Sequence, residues 1–344
     1  MKAITIKDIA RKCGVGVSTV SRAINNHPEI SEETRNMIME VIKENNYIPN
    51  NSARNLKLLQ TNTIAVLIKG IDNPFFQNMI KVFEEEIQNN KYTFILHRVD
   101  INQDEIEVAL ELIKEKRLKG IVFLGGFFSH QEEELKKINV PFVLSTIAIS
   151  ESVDKNLYSS VSVDDTSESK KIVDLLSEYG HKKIAILASD RSDKSISKLR
   201  VEGYRNALES KNIVINEDLV RYTSDNSNTY TMENGYKLMK ELLESGEDFT
   251  AVYAISDSMA IGACKAILEY GKKIPEDYSV VGFDGLDITY YYNPSITTIR
   301  QPVEKMAKET TEILFDLINN KTKNQHKIFQ GELIVRDSIS RLNK

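Results

Sequence analysis

The stretch that decides the fold of the N-terminal part is residues 4–24, Ile-Thr-Ile-Lys-Asp-Ile-Ala-Arg-Lys-Cys-Gly-Val-Gly-Val-Ser-Thr-Val-Ser-Arg-Ala-Ile. Apolar side chains recur there at helical spacing, which predicts a helix that buries Ile6, Ile9, Ala10 and Cys13 on one face. Gly14 tolerates the left-handed backbone conformation that ends a helix. A second helix then buries Val20 and Ile24.

The second predicted helix turns short polar side chains outward, namely Ser18, Thr19, Ser21 and Arg22. Such a surface can lie flat against DNA. Two short helices joined by a tight turn form a helix-turn-helix, whose second helix enters the major groove. A plain helical hairpin has the same local pattern, so residues 4–24 alone leave both interpretations open.

Three further segments extend this pattern: Val20-Ser21-Arg22-Ala23-Ile24-Asn25-Asn26, Tyr47-Ile48-Pro49-Asn50 and Ala53-Arg54-Asn55-Leu56. Together they closely resemble the headpiece and hinge of the LacI/GalR family of bacterial transcriptional regulators. The resemblance covers the N-terminal residues without a gap and continues more weakly to the C-terminus. Gly16 departs from it, since the family often has a serine at this helix cap, but glycine is also an acceptable cap.

The resemblance implies how the head would contact DNA. Base edges would be read by Val17, Ser18 and Arg22, and phosphates would be held mainly by Thr5, Thr19, Ser21 and Asn25. A third helix, capped by Ser31, would complete the unit.

Residues 47–60 are expected to form a hinge with a short helix over 53–58. The resemblance implies that two copies of this helix fold together in the minor groove, where Leu56 wedges between base steps beside Arg54 and Lys57. Asn51 and Ala53 are the other hinge positions expected to contact DNA. On its residues alone, this segment is typical of a flexible linker, because it has too few apolar side chains to be a stable helix.

Length and charge fit a chain with one DNA-binding end. A chain of 344 residues with 41% hydrophobic residues suggests two or three domains with substantial cores. Residues 1–60 carry nine Lys/Arg against six Asp/Glu, whereas the remainder carries 36 against 44. A mildly basic head on an acidic body fits phosphate contacts at one end only.

The sequence shows no export or membrane signal, so we expect a cytoplasmic, nucleoid-associated protein. Cys13 and Cys264 lie in apolar helical patterns without metal or redox spacing, which is typical of core thiols in a reducing compartment.

From Ile64 onward, strands alternate with helices in two series, which predicts parallel sheets covered by helices on both faces. The expected fold class is an all-α helix-turn-helix headpiece followed by an α/β core of two doubly wound parallel-sheet lobes. The expected boundaries are 1–46 for the headpiece, 47–60 for the hinge and 61–344 for the core. Lobe 1 would hold about 61–158 and 298–325, and lobe 2 about 159–297 and 326–344. The resemblance implies that this core is periplasmic-binding-protein-like, with a cleft between the lobes.

A ligand in such a cleft would lie at the carboxyl ends of the strands. The polar and aromatic residues expected there are Asp72, Phe75, Phe76, Arg98, Asp164, Arg200, Tyr230, Ser256, Asp257, Asp284 and Gln301. Carboxylates and guanidinium groups suit the recognition of sugar hydroxyls, and an aromatic ring can cover the apolar face of a pyranose.

The resemblance supports the assignment of Asp164, Arg200, Tyr230, Asp284 and Gln301, because they match effector-pocket positions of the family. Ser256 stands where an asparagine is common in the family. For Asp257 and for Asp165, which also follows a strand, capping of the next helix is an equal alternative.

Catalysis is not expected. The five histidines are scattered, and the sequence has no nucleophile elbow, phosphate-binding glycine loop or dinucleotide fingerprint. We therefore expect no enzyme activity, no metal and no cofactor. Aspartates in a sugar cleft are also the acids of glycosidases, but their expected placement on two hinged lobes favours binding.

The residues and the family resemblance together predict a transcriptional repressor that binds double-stranded operator DNA. Its effector is expected to be a small sugar or sugar derivative. A homodimer is expected, and a dimer rather than a tetramer, because the sequence has no leucine heptad that would bundle two dimers together. One alternative is a catabolite-control type that uses a phosphorylated carrier protein as corepressor. The other is a cytoplasmic sugar-binding protein without a DNA role.

Overall fold

The computed structural model describes residues 4–24, 27–45, 47, 62–223 and 229–342. The chain divides into two compact units, residues 1–60 and residues 61–344. The predicted DNA contacts Asn25, Asn51, Ala53, Arg54, Leu56 and Lys57 lie outside the described residues.

The N-terminal unit is built from three helices: α1 (Ile6–Cys13), α2 (Val17–Ile24) and α3 (Glu32–Glu44). Gly14 ends α1 with φ 65°, as predicted, and its N–H donates to the last carbonyls of that helix. Ile9, Val20 and Ile38, one from each helix, are fully buried against each other. The expected all-α headpiece is therefore confirmed.

The second unit begins with seven strands and three helices: β1 (Thr63–Ile68), α4 (Phe75–Asn89), β2 (Thr93–Arg98), α5 (Glu105–Lys116), β3 (Leu118–Leu124), β4 (Phe127–Phe128), α6 (Glu132–Leu135), β5 (Phe142–Ser145), β6 (Ala148–Ile149) and β7 (Ser159–Val163). It continues with α7 (Asp165–Glu178), β8 (Ile184–Ala188), α8 (Ile196–Ser210), β9 (Val220–Tyr222), α9 (Met232–Glu244), β10 (Ala251–Ala254), α10 (Asp257–Glu269) and β11 (Ser279–Val281). It ends with α11 (Ile288–Tyr291), β12 (Thr298–Arg300), α12 (Val303–Ile318), β13 (His326–Phe329) and β14 (Glu332–Ile334).

Two parallel sheets form the centres of the two lobes. The sheet of lobe 1 has the order β13-β7-β5-β3-β1-β2, and the sheet of lobe 2 has the order β11-β10-β8-β9. Hydrophobic clusters cover both faces of the first sheet, and α12 packs on it although α12 follows the second lobe in sequence. The expected α/β core with two doubly wound lobes is confirmed.

The chain passes three times between the lobes, along 163–165, 300–303 and 329–334. Near two of these crossings, β12 and β14 pair antiparallel with Ile299 opposite Leu333. After β14 the chain returns to lobe 2, where the N–H of Val280 donates to the carbonyl of Ser338 at 2.8 Å.

The predicted lobe boundary requires a correction. Residues 159–163 and 326–329 were assigned to lobe 2, but both strands lie in the sheet of lobe 1, where Val161 is paired with Lys327. The alternation of strands and helices gives the number of strands but not the sheet that each one joins. The edge position of β13, with three of its four residues exposed, is set by the return of the chain through α12.

Helices α9 and α10 in lobe 2 pack so closely that glycine is required at their contact. A Cβ atom at Gly262 would lie 1.9 Å from the carbonyl oxygen of Met232, and one at Gly235 would lie 2.1 Å from that of Met259. Because these neighbours are helix backbone, they cannot move aside without a shift of a whole helix.

We expect Gly262→Ala to lower the free energy of unfolding of the core by about 2 kcal/mol or more, since overpacking here displaces backbone. Urea unfolding followed by circular dichroism measures this loss. Lys265→Ala, on the exposed side of the same helix, is the control and should change stability by less than about 0.5 kcal/mol. Equal stability of the two variants would contradict the close helix contact.

Candidate functional site

A cavity of about 420 Å³ lies between the two lobes of the second unit. Its walls are the segments that follow the strands of both sheets, as expected for parallel sheets. Eight of the eleven predicted ligand-binding residues line it: Asp72, Phe75, Phe76, Arg98, Arg200, Tyr230, Asp284 and Gln301.

Arg200 on α8 is the most constrained side chain of this cavity. It is buried, and its Nε donates to Asp165 Oδ1 at 2.8 Å. Its Nη1 donates to the carbonyl oxygen of Ile255 at 2.5 Å and lies 3.4 Å from Asp284 Oδ1. The ring of Phe283 lies under the guanidinium at 3.6 Å. These contacts fix the orientation of the only cation in the described part of the chain that is both buried and in contact with the cavity.

Burial sets the ionisation of this cluster. Burial raises the pKa of Asp284 to about 7, although Arg200 and the amide of Gln301, which donates to Oδ1 at 3.0 Å, act to lower it. Burial also raises the pKa of Asp165 against the effect of Arg200. For Arg200 itself, burial lowers the pKa but the two carboxylates more than offset this, so the guanidinium stays charged.

Two buried polar atoms in the cavity wall have no hydrogen-bond partner among the described residues: Oδ2 of Asp284 and Oγ1 of Thr146. Both residues also have a positive φ, 119° for Asp284 and 51° for Thr146, which is strained for residues other than glycine. Thr146 belongs to lobe 1 and Asp284 to lobe 2. Unsatisfied polar atoms on strained backbone from two lobes are the pattern of a site arranged for a ligand.

Aromatic rings and hydroxyl groups complete the walls. The rings of Phe75 and Phe76 pack edge to face with their centroids 5.3 Å apart. Across the cavity, the hydroxyl of Tyr230 lies 3.2 Å from Ser195 Oγ. Ser195 in turn donates to Asp193 Oδ2 at 2.7 Å. The cavity thus offers apolar ring faces and fixed polar groups side by side, a combination that suits small polar ligands.

Three predicted residues do not line the cavity: Asp164, Ser256 and Asp257. Asp164 is exposed and caps α7, where its Oδ1 accepts from the N–H of Ser167 at 3.0 Å. Ser256 caps α10 by accepting from the N–H of Met259 at 3.2 Å. The buried carboxylate of Asp257 accepts from the N–H of Leu286 and the hydroxyl of Thr298, each at 2.6 Å.

The structure thus places Asp165, and not the predicted Asp164, in the cavity wall. Asp165 is the first residue of α7, and its side chain points inward to Arg200, whereas Asp164 is the helix cap. Two adjacent carboxylates at a helix start point in different directions, and the sequence does not show which of them faces the partner.

The sequence analysis did not predict several residues that line the cavity, including Lys69, Thr146 and Asp193. Lys69 and Thr146 each follow directly after a strand, β1 and β5, so the strand-end rule applied to every strand would have found them. Asp193 lies in the segment between β8 and α8 and had no such signal.

A cluster of charged side chains lies behind the cavity wall. Asp104, Glu105 and His130 offer potential metal-ligand atoms within 4.8 Å of one another. However, Glu105 already binds the ammonium of Lys69, and its Oε1 lies 3.0 Å from His130 Nε2. Hydrogen bonds of Glu105 to His130 and Lys69 lower its pKa, although burial acts to raise it. The cluster is an ion-pair network that holds Lys69, and we assign it no metal.

The candidate DNA-binding surface in the N-terminal unit is the outer face of α2. Val17, Ser18 and Arg22 are exposed, whereas Thr19 and Ser21 are half-buried. The carbonyl of Gly16 accepts from the N–H groups of Thr19 and Val20 at 3.0 and 3.1 Å, so the glycine begins the helix.

Thr5 precedes α1 on the same unit. Its hydroxyl donates to Asp8 Oδ2 at 2.6 Å, and its N–H donates to the same oxygen at 3.0 Å. The exposed guanidinium of Arg22 lies 3.4 Å from Glu29 Oε2, a contact that contributes little in water and that phosphates or bases can replace. Among the described helices, none combines the length and apolar character needed to span a membrane.

Two protein families match this chain, one in the N-terminal unit and one in the second unit. Residues 5–50 match the family of bacterial regulatory proteins of lacI type, and residues 173–339 match the periplasmic binding protein-like domain. The HTH-type transcriptional regulator MalR of Clostridium butyricum is 44% identical over 337 residues, which cover 97% of this chain and 99% of the relative.

Solved structures agree with this division. A transcriptional regulator CelR in complex with cellobiose is 27% identical with a TM-score of 0.70, over 97% of this chain and 99% of that one. A LacI family regulator from Enterococcus faecium with bound ribose is 26% identical with a TM-score of 0.69, over 82% of this chain and 100% of that one. On this sequence and structural similarity, the chain belongs to the LacI family of bacterial transcriptional regulators.

Proposed function

We propose that this protein is a sequence-specific DNA-binding repressor whose affinity for its operator is controlled by a small sugar or sugar derivative. The observation that carries the proposal is the pair of unsatisfied polar atoms on Asp284 and Thr146, two residues from opposite lobes that both line one cavity. A ligand that bonds to both favours one arrangement of the lobes.

A polyhydroxyl ligand fits this cavity. The ionised Asp284 accepts a hydrogen bond from one hydroxyl, and the Thr146 hydroxyl both donates and accepts. The rings of Phe75, Phe76 and Tyr230 provide faces for the apolar side of a sugar ring. The similar regulators with bound cellobiose and ribose support this ligand class.

On the DNA side, Val17, Ser18 and Arg22 would contact base edges, and Thr5, Thr19 and Ser21 would contact phosphates. A homodimer would place two copies of α2 on a pseudo-palindromic operator. Six further residues are predicted to contact DNA: Asn25 and the hinge residues Asn51, Ala53, Arg54, Leu56 and Lys57. The alternative prediction is that a phosphorylated carrier protein acts as corepressor and controls the binding of operator DNA.

Control would act through lobe closure. The cavity wall includes residues of both lobes, and the chain crosses between the lobes at three places. A ligand that binds one lobe arrangement more tightly shifts the population towards it, by its differential affinity and no more. Residues 47–60, which connect the core to the head, would transmit the change.

The role of Arg200 gives the first test of this proposal. We expect Arg200→Gln to weaken effector binding by about 100-fold or more, because it leaves two buried carboxylates without their cation. Isothermal titration against cellobiose, ribose and maltose, together with a mobility-shift assay on the promoter of the chain's own operon, measures both functions. Operator affinity without sugar should stay unchanged.

The matched control for this test is Arg205→Gln. Arg205 lies on the same helix and binds Glu217 outside the cavity, with Nη1 to Oε1 at 2.5 Å. Normal sugar affinity in Arg200→Gln, or an equal loss in both variants, would contradict the assignment of the cavity as the effector site.

The recognition helix gives a second test. Arg22→Ala should weaken binding to the operator by about 1–3 kcal/mol and reduce the preference over random DNA, because a base-edge contact is lost. Lys43→Ala removes the same charge from the end of α3 and should leave the preference intact. If both variants reduce specific and random binding equally, Arg22 acts only on phosphates.

The titration of Asp284 gives a third test. Sugar hydroxyls that donate to Oδ2 stabilise the ionised carboxylate, so ligand binding lowers the pKa of this group from its value of about 7 in the free protein. By linkage, sugar affinity should therefore rise as the pH increases from about 6 to about 8 and should level off above that range. Titration calorimetry of the wild type across this range measures the slope.

The Asp284→Asn variant should bind sugar weakly with little pH dependence over that range, whereas Asp287→Asn, an exposed neighbour, should keep the wild-type slope. A wild-type affinity that falls with increasing pH would show that Asp284 does not bind the ligand as a carboxylate.

A further inference from the structure

Each of the three cations that the described residues place in the cavity wall lies beside a carboxylate of this chain. Arg200 binds Asp165 and Asp284, with Nε 2.8 Å from the first and Nη1 3.4 Å from the second. Arg98 Nε lies 3.3 Å from Asp100 Oδ1 at the exposed rim. Lys69 binds Glu105 behind the wall. The two cations of the described wall that are shielded from water, Arg200 and Lys69, are therefore already paired, whereas the exposed pair of Arg98 contributes little.

The partner of Lys69 is fixed particularly firmly. Glu105 is buried at the start of α5, and its two carboxylate oxygens bind Lys69 on one side and His130 on the other. Asp104 and Glu134 lie at 3.9 and 3.4 Å from His130 Nδ1 and add negative charge behind it. The ammonium of Lys69 is thus held by Glu105, and the alkyl stem of Lys69 lies against Gly126 in the wall.

Carboxylates outnumber cations in the described wall. Its six aspartates are Asp72, Asp100, Asp165, Asp190, Asp193 and Asp284, against Lys69, Arg98 and Arg200. A phosphate group placed here would face like charges without a cation in compensation.

The excess carboxylates do not require a cationic ligand either. Asp193 accepts from the hydroxyl groups of Ser189 and Ser195 and from the N–H of Ser195 at 2.7 Å. Asp190 accepts from the hydroxyl of Ser192 and its N–H at 2.7 Å. Neutral donors of the chain therefore already bind Asp190 and Asp193, and Asp284 Oδ2 is the carboxylate oxygen of the described wall that is buried without a partner.

We propose that the effector is an uncharged polyhydroxylated sugar and that the cavity rejects phosphorylated sugars because Glu105, Asp165 and Asp284 neutralise its two shielded cations, Lys69 and Arg200. This inference rests on the proposed function, in which a ligand in this cavity controls operator binding. It narrows the ligand from sugars and their derivatives to the neutral ones.

The test uses the full-length protein and matched pairs of ligands: cellobiose, ribose, maltose and glucose, each beside its terminal phosphate ester, with glucosamine as the cationic comparison. We expect one of the neutral sugars to bind the protein and to cause the release of operator DNA. Calorimetry should show that the phosphate ester of this sugar binds at least about 100-fold more weakly. Glucosamine should bind no more tightly than glucose.

Charge variants then test the cause of this discrimination. Glu105→Gln releases Lys69 and should tighten binding of the phosphate ester, and of inorganic phosphate, by about tenfold or more while it leaves the neutral sugar little changed. Glu107→Gln, exposed two residues further along α5, is the control and should change neither. If Glu105→Gln does not fold, Asp100→Asn removes a negative charge from the exposed rim beside Arg98 and should shift the discrimination in the same direction.

The outcomes separate this inference from the proposed function. A wild-type protein that binds a phosphate ester as tightly as the parent sugar, or that binds glucosamine more tightly than glucose, overturns the inference and leaves the proposed function standing. Unchanged discrimination in both charge variants also overturns it. If no sugar of any charge alters operator affinity, the proposed function fails first and the inference falls with it.

Discussion

The buried guanidinium of Arg200 is the group on which the rest of the cavity depends. Removal of a charge from water costs several kcal/mol, and this cost is offset only by close partners with good geometry. Here the partners come from three elements: Asp165 at the start of α7, the carbonyl of Ile255 after β10, and Asp284 after β11. One charge therefore fixes the start of α7, which follows β7 of lobe 1, relative to the ends of β10 and β11 in lobe 2.

The same cluster lies where the chain crosses between the lobes. Asp165 follows the first crossing directly, and the backbone of Asp284 pairs with that of Arg300, just before the second. One helical turn after Asp165, the buried Glu168 accepts from the N–H of Gly331 at 2.9 Å, in the third crossing. A ligand that changes the contacts of Asp284 therefore acts on the segments about which the lobes would move, with no need for a long path between site and hinge.

The sequence predicts the elements of this arrangement better than their partners. The apolar spacing around Ile9, the left-handed Gly14 and the two series of strands and helices follow from local physical chemistry, and the structure confirms them. Arg200, Asp284 and Gln301 were predicted as site residues partly from the family resemblance, and all three meet at one end of the cavity.

What the sequence missed depends on contacts distant along the chain. The choice between Asp164 and Asp165 is made by Arg200, more than thirty residues away. The sheet that β7 joins is set by its pairing with β5 and β13. The pairing of the Lys69 ammonium depends on Glu105, which also contacts His130, and no sequence motif links these three residues. Local patterns specify the helices and strands, whereas long-range pairing specifies the site.

The proposal of a neutral effector also limits how ligand binding can be transmitted to the DNA-binding unit. An uncharged ligand adds no charge of its own, so the change of charge is limited to the proton that Asp284 releases near its pKa of about 7. Salt screens interactions between exposed charges that lie more than about 8 Å apart at physiological ionic strength. The control of DNA binding would therefore depend on the geometry of the lobes, which the ligand alters at the crossings, and not on an electrostatic field from the cavity.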